Sequence, residues 1–182
     1  MDHLSQLESR TIYIIREAYS QFKKIALLWS IGKDSTTMLW IARKAFFGEI
    51  PFPVIHIDTG FKLKEIYKFR ESCVKLWDLF STKTGEKDHL RVHPMLHWTE
   101  VDIWEYIRRE KIPTVSLYFS KEGRRYRSIG CAPCCAPVDS KARNLSQIIR
   151  ELKKTKTAER SGRAQDKEDT YTMQTLRSLG YM

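Results

Sequence analysis

The segment Ile25-Ala-Leu-Leu-Trp-Ser-Ile-Gly-Lys-Asp-Ser35 constrains this chain more than any other. An apolar run stops at the six residues Ser30-Ile-Gly-Lys-Asp-Ser35, and a helical pattern then begins. That order reads as a buried strand, a tight turn and the N-terminus of a helix. Backbone N–H groups converge at such a turn. The helix dipole adds partial positive charge there, and Lys33 adds a full one. The expected ligand is an anion, a phosphate or pyrophosphate. One strand later, Val54-Ile55-His56-Ile57 runs into Asp58-Thr59-Gly60-Phe61. Two neighbouring strand ends carrying polar turns are where open α/β sheets take nucleotides. The Walker pattern is excluded, because the preceding run has leucine where that pattern needs a glycine.

The chain has 182 residues, enough for a domain with its own core, and a formal net charge of +10. Such an excess suits an anionic ligand, an acidic partner or RNA, although a solvated basic surface gives the same balance. No stretch reaches the apolar length of a membrane span and no signal peptide is legible, so a cytoplasmic protein is expected. The four cysteines are Cys73, Cys131, Cys134 and Cys135. A four-sulfur zinc or iron–sulfur site wants two pairs, and only one cluster is present. Zinc or an iron–sulfur centre at Cys131, Cys134 and Cys135 is therefore the less favoured reading. Small thiols packed in a tight turn beneath the site is the preferred one, and no metal ligands are assigned.

Periodicity predicts an amphipathic helix over Leu4–Phe22, strands at Ile25–Trp29 and Pro53–Ile57, and helices over Asp34–Phe47 and Leu63–Val74. A short third strand is expected at Arg91–Leu96. Thr99-Glu-Val-Asp102 has the form of a capping box, opening a helix to about Glu110 with Val101, Trp104 and Ile107 on its apolar stripe. Trp98 and Trp104 are expected to pack rather than stack on a base. Asn144–Gln147 starts another helix to about Lys154, and a last helix begins near Asp166 and closes at Gly180. The layout divides into a nucleotide-binding α/β unit over 1–113 and an arginine- and cysteine-bearing segment over 114–182 that closes over the site. One piece is missing. A first strand in such a sheet is central, yet the interval from Cys73 to Asp88 is too short and polar to supply a second parallel neighbour and its crossover. Residues are expected to be lost between about 71 and 77.

The turn Ser30-x-Gly-Lys-Asp-Ser35 is similar to the pyrophosphate-binding loop of the ATP-pyrophosphatase superfamily, with Ile31 where glycine is more usual. Ile31 is compatible with that loop if its φ stays below zero. Within the superfamily, the chain resembles the small-subunit family of the two-component bacterial sulfate adenylyltransferases, relatives of the adenylylsulfate and phosphoadenylylsulfate reductases. The resemblance rests on Ser30–Ser35, Asp58-Thr59-Gly60-Phe61, His93 through Trp104, Ile112-Pro113, Leu117-Tyr118, Arg124 through Cys131, and Glu159-Arg-Ser-Gly-Arg-Ala-Gln-Asp166. It implies an adenine-nucleotide alpha-hydrolase-like, Rossmann-like α/β fold: a parallel sheet flanked by helices, with a mostly helical and loop C-terminal extension. An arginine-rich, acid-containing loop that such proteins carry after a middle strand has no counterpart here. It would fall in the interval already singled out.

The resemblance implies that ATP and sulfate are converted to adenylyl sulfate and pyrophosphate in sulfate assimilation. Pyrophosphate is assigned to Ser30, Gly32, Lys33, Asp34 and Ser35, with Asp34 capping the helix or orienting Lys33. Adenosine is assigned to the stretch from His56 to Thr59 with Gly60. Asp58 is also placed to help a Mg²⁺ ion. Lys33, Arg127 and Arg160 are the catalytic candidates, and Arg163 a nucleotide contact, because guanidinium forks match sulfate and phosphate oxygens. For Arg124 and Arg125, ligand contact and a solvated surface role weigh evenly. A GTPase large subunit is the implied partner, with no nucleic acid and no membrane. The alternatives are a reductase of adenylylsulfate or phosphoadenylylsulfate, an RNA-modifying relative, and a non-catalytic scaffold for the GTPase. The tail Gln165–Met182 has no cysteine, which weighs against a reductase.

Overall fold

The first helix of the chain is set by its cap. In the computed structural model, which describes residues 2–22, 24–58, 60–77, 92–130, 132, 135–155 and 159, Asp2 precedes helix α1 (His3–Gln21) and accepts the Ser5 N–H at 2.8 Å. Leu7, Thr11, Ile15 and Ala18 recur at helical spacing and are the buried face of α1. The chain then enters strand β1 (Leu27–Leu28), helix α2 (Lys33–Ala45) and strand β2 (Val54–Ile55). β1 and β2 pair in parallel, with Leu27 opposite Val54 and Leu28 opposite Ile55. Flanking bonds from Leu27 N–H to the Pro53 carbonyl (2.9 Å) and from Trp29 N–H to the Ile55 carbonyl (2.8 Å) lengthen the ladder at both ends. This is one βαβ unit, and it leaves loop 30–32 and the residues after β2 at neighbouring strand ends.

Helix α3 (Lys64–Trp77) follows, and α4 (Glu100–Glu110) begins with the expected capping box. Thr99 accepts the Asp102 N–H, and the Asp102 carboxylate accepts the Thr99 N–H at 2.9 Å. Ile103, Trp104, Tyr106 and Ile107 are buried, so the apolar face of α4 is broader than the predicted stripe. Asn144 caps α5 (Leu145–Lys154) by accepting the Gln147 N–H at 3.0 Å. Ile148, Ile149 and Leu152 of α5 join the same core as Trp104 and Ile107. An ionic cluster ties three helices together at the surface. Lys44 of α2 pairs with Glu8 of α1 and with Glu110 of α4, and Arg109 of α4 reaches Glu8 at 2.7 Å.

Two expectations fail. Residues 92–96 form no strand; Pro94–His97 is a turn, closed by a bond from Trp98 N–H to the Met95 carbonyl at 3.1 Å. Pro94 brings no amide hydrogen to a ladder, and Leu96 is 75% exposed, so the apolar pattern there does not face a core. Conversely, a small antiparallel ribbon forms where none was read, from β3 (Arg124–Arg125) and β4 (Val138–Asp139). Its approach is a tight turn in which Glu122 and Gly123 both have positive φ, 54° and 81°. Lys121 and Arg124 exchange both backbone hydrogen bonds across that turn. Among the described residues β1 has a neighbour on one side only, and Leu28 is 54% exposed. Parallel sheets are ordinarily larger and covered on both faces. The helix expected from Asp166 to Gly180 lies outside the described residues.

Candidate functional site

The turn between β1 and α2 has one strained residue. Ile31 has φ 71°, not the negative value its β-branched side chain favours, and it is 1% exposed. Left-handed backbone costs an ordinary L-residue roughly 1–2 kcal/mol. Burial of the Ile31 side chain offsets that cost, which is how a bulky residue holds a position suited to glycine. Gly32 itself is not there for its backbone, since its φ is −70°. Space does not demand glycine either: a Cβ on it would meet Ser30 Oγ at 3.5 Å and Tyr118 Oη at 3.7 Å, both ordinary contact distances.

The polar groups of the turn are already engaged with one another. Ser30 Oγ and Ser35 Oγ lie 3.0 Å apart, and Ser35 Oγ donates to the Gly32 carbonyl at 3.2 Å. The Lys33 N–H donates to Tyr118 Oη at 2.8 Å. Tyr118 belongs to a 3₁₀ turn at Ser116–Tyr118 and packs edge-on against Trp104, with ring centroids 5.1 Å apart. The Lys33 side chain is buried, 1% exposed, and its ammonium reaches Asp34 Oδ2 at 3.3 Å and Glu159 Oε1. Burial opposes its charge, but Asp34, Glu159 and Glu100 together outweigh it, and the ammonium is held above the usual lysine range. Ser30 and Asp34 remain exposed at the mouth of the turn. Asp34 orients Lys33; the α2 N-cap is Gly32, with no side-chain cap bond.

Arg127 enters the same electrostatic cluster. Its Nη2 and Nε reach Glu100 Oε2 at 2.7 and 3.1 Å, and both partners are largely buried. Glu100 thus stands between Arg127 and the field of Lys33. Arg125 is corrected from both of its expected roles. It is 1% exposed, with Nη2 on Glu151 at 2.6 Å and Nε on Ser140 at 3.1 Å, and pins β3 to α5. Arg124 is the solvated one, paired to Asp139 at 3.3 Å.

At the end of β2, His56 Nδ1 donates to the Trp29 carbonyl at 2.8 Å, which fixes the imidazole proton and ties the two strand ends together. His56 Nε2 is buried and has no hydrogen-bond partner. Asp58 accepts from the Gly60 N–H and Tyr67 Oη, each at 2.9 Å, and from Arg70 at 3.1 Å. These donors hold its carboxyl below the usual range, the Gly60 amide contributing most. Gly60 has φ 73°, a conformation that favours glycine. The Ala132 N–H donates to the Phe61 carbonyl at 2.7 Å, so Ala132 lies against the segment after β2. Cys135 Sγ accepts the Gly130 N–H. Thr59, Cys131, Cys134, Arg160 and Arg163 lie outside the described residues. Among the described residues no cluster of three His, Cys, Asp or Glu side chains could hold a metal, and no helix is long and apolar enough to cross a membrane.

Spacing alone could not reveal Tyr118, Glu100 or Glu159, which lie 85, 67 and 126 positions from Lys33. Their only signal was membership in the motif blocks that carry the family resemblance. A shallow groove of about 300 Å³ along α5, lined by Lys141, Ala142, Gln147, Arg150, Glu151 and Lys154, contains none of the candidate residues.

The model of the phosphoadenosine phosphosulfate reductase domain family matches residues 24–79 and 75–137. The chain is similar to sulfate adenylyltransferase subunit 2 of Stutzerimonas stutzeri (strain A1501), 29% identical with 100% of this chain and 98% of the relative covered. It is equally similar to the protein of that name from Ectopseudomonas mendocina (strain ymp), also 29% identical with the same coverage. The one from Pseudomonas fluorescens (strain Pf0-1) is 28% identical, again over 100% and 98%. These alignments run over 300 positions, whereas this chain has 182 residues.

Proposed function

The chain belongs to the phosphoadenosine phosphosulfate reductase domain family, and from that premise we propose that it is a sulfate adenylyltransferase subunit, cytoplasmic, acting in sulfate activation. A sulfate oxygen attacks the α phosphorus of ATP, the bond from that phosphorus to the bridging oxygen of the β phosphate breaks, and pyrophosphate leaves. The observation that carries this reading is the convergence, at the first βαβ crossover, of the helix N-terminus, Lys33 and the Glu100–Arg127 pair.

Catalysis here needs positioning and charge neutralisation. Lys33 and the α2 N-terminus neutralise the departing pyrophosphate, and the hydroxyls of Ser30 and Ser35 exchange their mutual bond for phosphate oxygens. His56 Nε2 is an acceptor without a partner and suits an N–H donor such as the adenine amino group. Arg127 supplies the fork for sulfate or the α phosphate once it loosens from Glu100; Arg160 and Arg163 are assigned the same chemistry by resemblance. Mg²⁺ accompanies ATP in such reactions. Asp58, already holding three donors including an arginine, does not fit as its ligand in this arrangement, and no step is assigned to the ion.

The partner in this reading is a GTPase large subunit, which would drive the uphill reaction. We further infer that a central block of the fold has been lost at a junction between about residues 71 and 77, within α3. Support comes from the one-sided neighbour of β1, the two family-model segments overlapping at 75–79, and alignments longer than the chain. The second reading, a scaffold for the GTPase, is favoured by the same missing block and by a lysine already paired to carboxylates. Sulfate-dependent exchange of labelled pyrophosphate into ATP, with and without the GTPase, separates them. Adenylyl transfer requires exchange in the parent and its large loss in Lys33→Ala. Nucleotide binding with no exchange under either condition means a scaffold.

A further inference from the structure

Lys33 has two carboxylate partners, and they differ in kind. Asp34 is its sequence neighbour on the first turn of α2. Glu159 comes from beyond α5, and its side chain is 26% exposed against 1% for Lys33. The third nearby carboxylate, Glu100, is committed to Arg127. A buried ammonium that lost Glu159 would be under-compensated, and only another anion restores the balance. A lysine is a compact point charge with freely rotating donors, so a phosphate oxygen replaces a carboxylate oxygen without a geometric penalty.

We propose that Glu159 is a specificity-determining residue of this site, an internal competitor whose carboxylate holds the place on Lys33 that a pyrophosphate group takes. The proposal rests on the phosphate-binding reading of the loop given above. A ligand that occupies this place must displace the carboxylate, and its affinity falls by the fraction of molecules in which the place is free. ATP and pyrophosphate meet that competition; AMP and adenosine, which lack the β and γ phosphates, do not. The return of Glu159 to Lys33 therefore favours departure of pyrophosphate. Glu159 weakens ground-state binding selectively for the leaving-group half of the nucleotide.

The test is calorimetric titration of the full chain with pyrophosphate, ATP and AMP in Mg²⁺ buffer. Glu159→Gln and Glu159→Ala are each made with Lys33 intact and with Lys33→Ala. Both variants should bind pyrophosphate and ATP about 5- to 20-fold more tightly, with AMP unchanged and pyrophosphate dissociating more slowly. In the Lys33→Ala background the effect should vanish. Unchanged pyrophosphate affinity in both variants overturns the proposal, as does equal tightening of AMP or tightening that persists without Lys33. Pyrophosphate exchange is read separately. Lys33-dependent binding that tightens in the variants, with no exchange in the parent, defeats the adenylyl-transfer reading and leaves this inference standing. Normal exchange with unchanged binding defeats this inference alone.

Discussion

The hydroxyl of Tyr118 accepts the backbone N–H of Lys33 at 2.8 Å, 85 positions away in the chain. The bond fixes the first turn of α2 against the 3₁₀ turn that carries Tyr118, and both residues are 1% exposed. Tyr118→Phe leaves that amide buried without its acceptor. A destabilisation of about 1–3 kcal/mol is expected, read as a lower urea midpoint with an unchanged slope. A variant as stable as the parent would mean that the loop amide finds another acceptor.

Glu100 and Arg127 form a largely buried fork at 2.7 and 3.1 Å. Glu100→Gln leaves an arginine with a weaker partner and should cost about 2–4 kcal/mol. Arg127→Lys removes the two-pronged geometry while keeping the charge, and should lower exchange activity at least tenfold if the fork meets the substrate. Equal exchange rates for Arg127→Lys and the parent would confine Arg127 to a structural role.

Ile31 combines positive φ with nearly complete burial, so its substitution sets two effects against each other. Ile31→Gly relieves the backbone strain but gives up the buried side chain, for a net loss of roughly 1 kcal/mol. Ile41, fully buried in the middle of α2, has no such offset, and Ile41→Ala should cost about 2–5 kcal/mol. Chemical denaturation of the two variants side by side checks the difference. Equal losses would show that the loop pays no strain at Ile31.

Cys73 is 1% exposed, and burial pushes its thiol up to about 11 from 9.0. In the folded chain the neutral form is kept, while the unfolded chain ionises first as pH rises past 9.0. The unfolded state then binds fewer protons, so Cys73 lowers stability across the window from about pH 9 to about 11 and has no such effect below it. Native protein at pH 8 should resist alkylation at Cys73, and Cys73→Ala should flatten this alkaline decline. Rapid native alkylation at Cys73, mapped by peptide mass, would contradict its placement.

The helices were legible because their information is local. The helical spacing of Leu7, Ile15 and Ala18, the Thr99–Asp102 box and the Asn144 cap each act within a few residues, so the linear pattern determined α1, α4 and α5, while the burial of Thr11 on the same face did not show in it. The polar turns after β1 and β2 were legible for the same reason. Tertiary structure alone decided that residues 92–96 form no strand and that Pro94–His97 is a turn, since a strand exists only where a neighbour offers hydrogen bonds. It alone decided that Arg125 is buried and Arg124 solvated, although the two are adjacent in sequence. The partners of Lys33 likewise came from remote segments. Which carboxylate or hydroxyl meets a buried donor depends on how the chain closes on itself, and no local pattern encodes that distance.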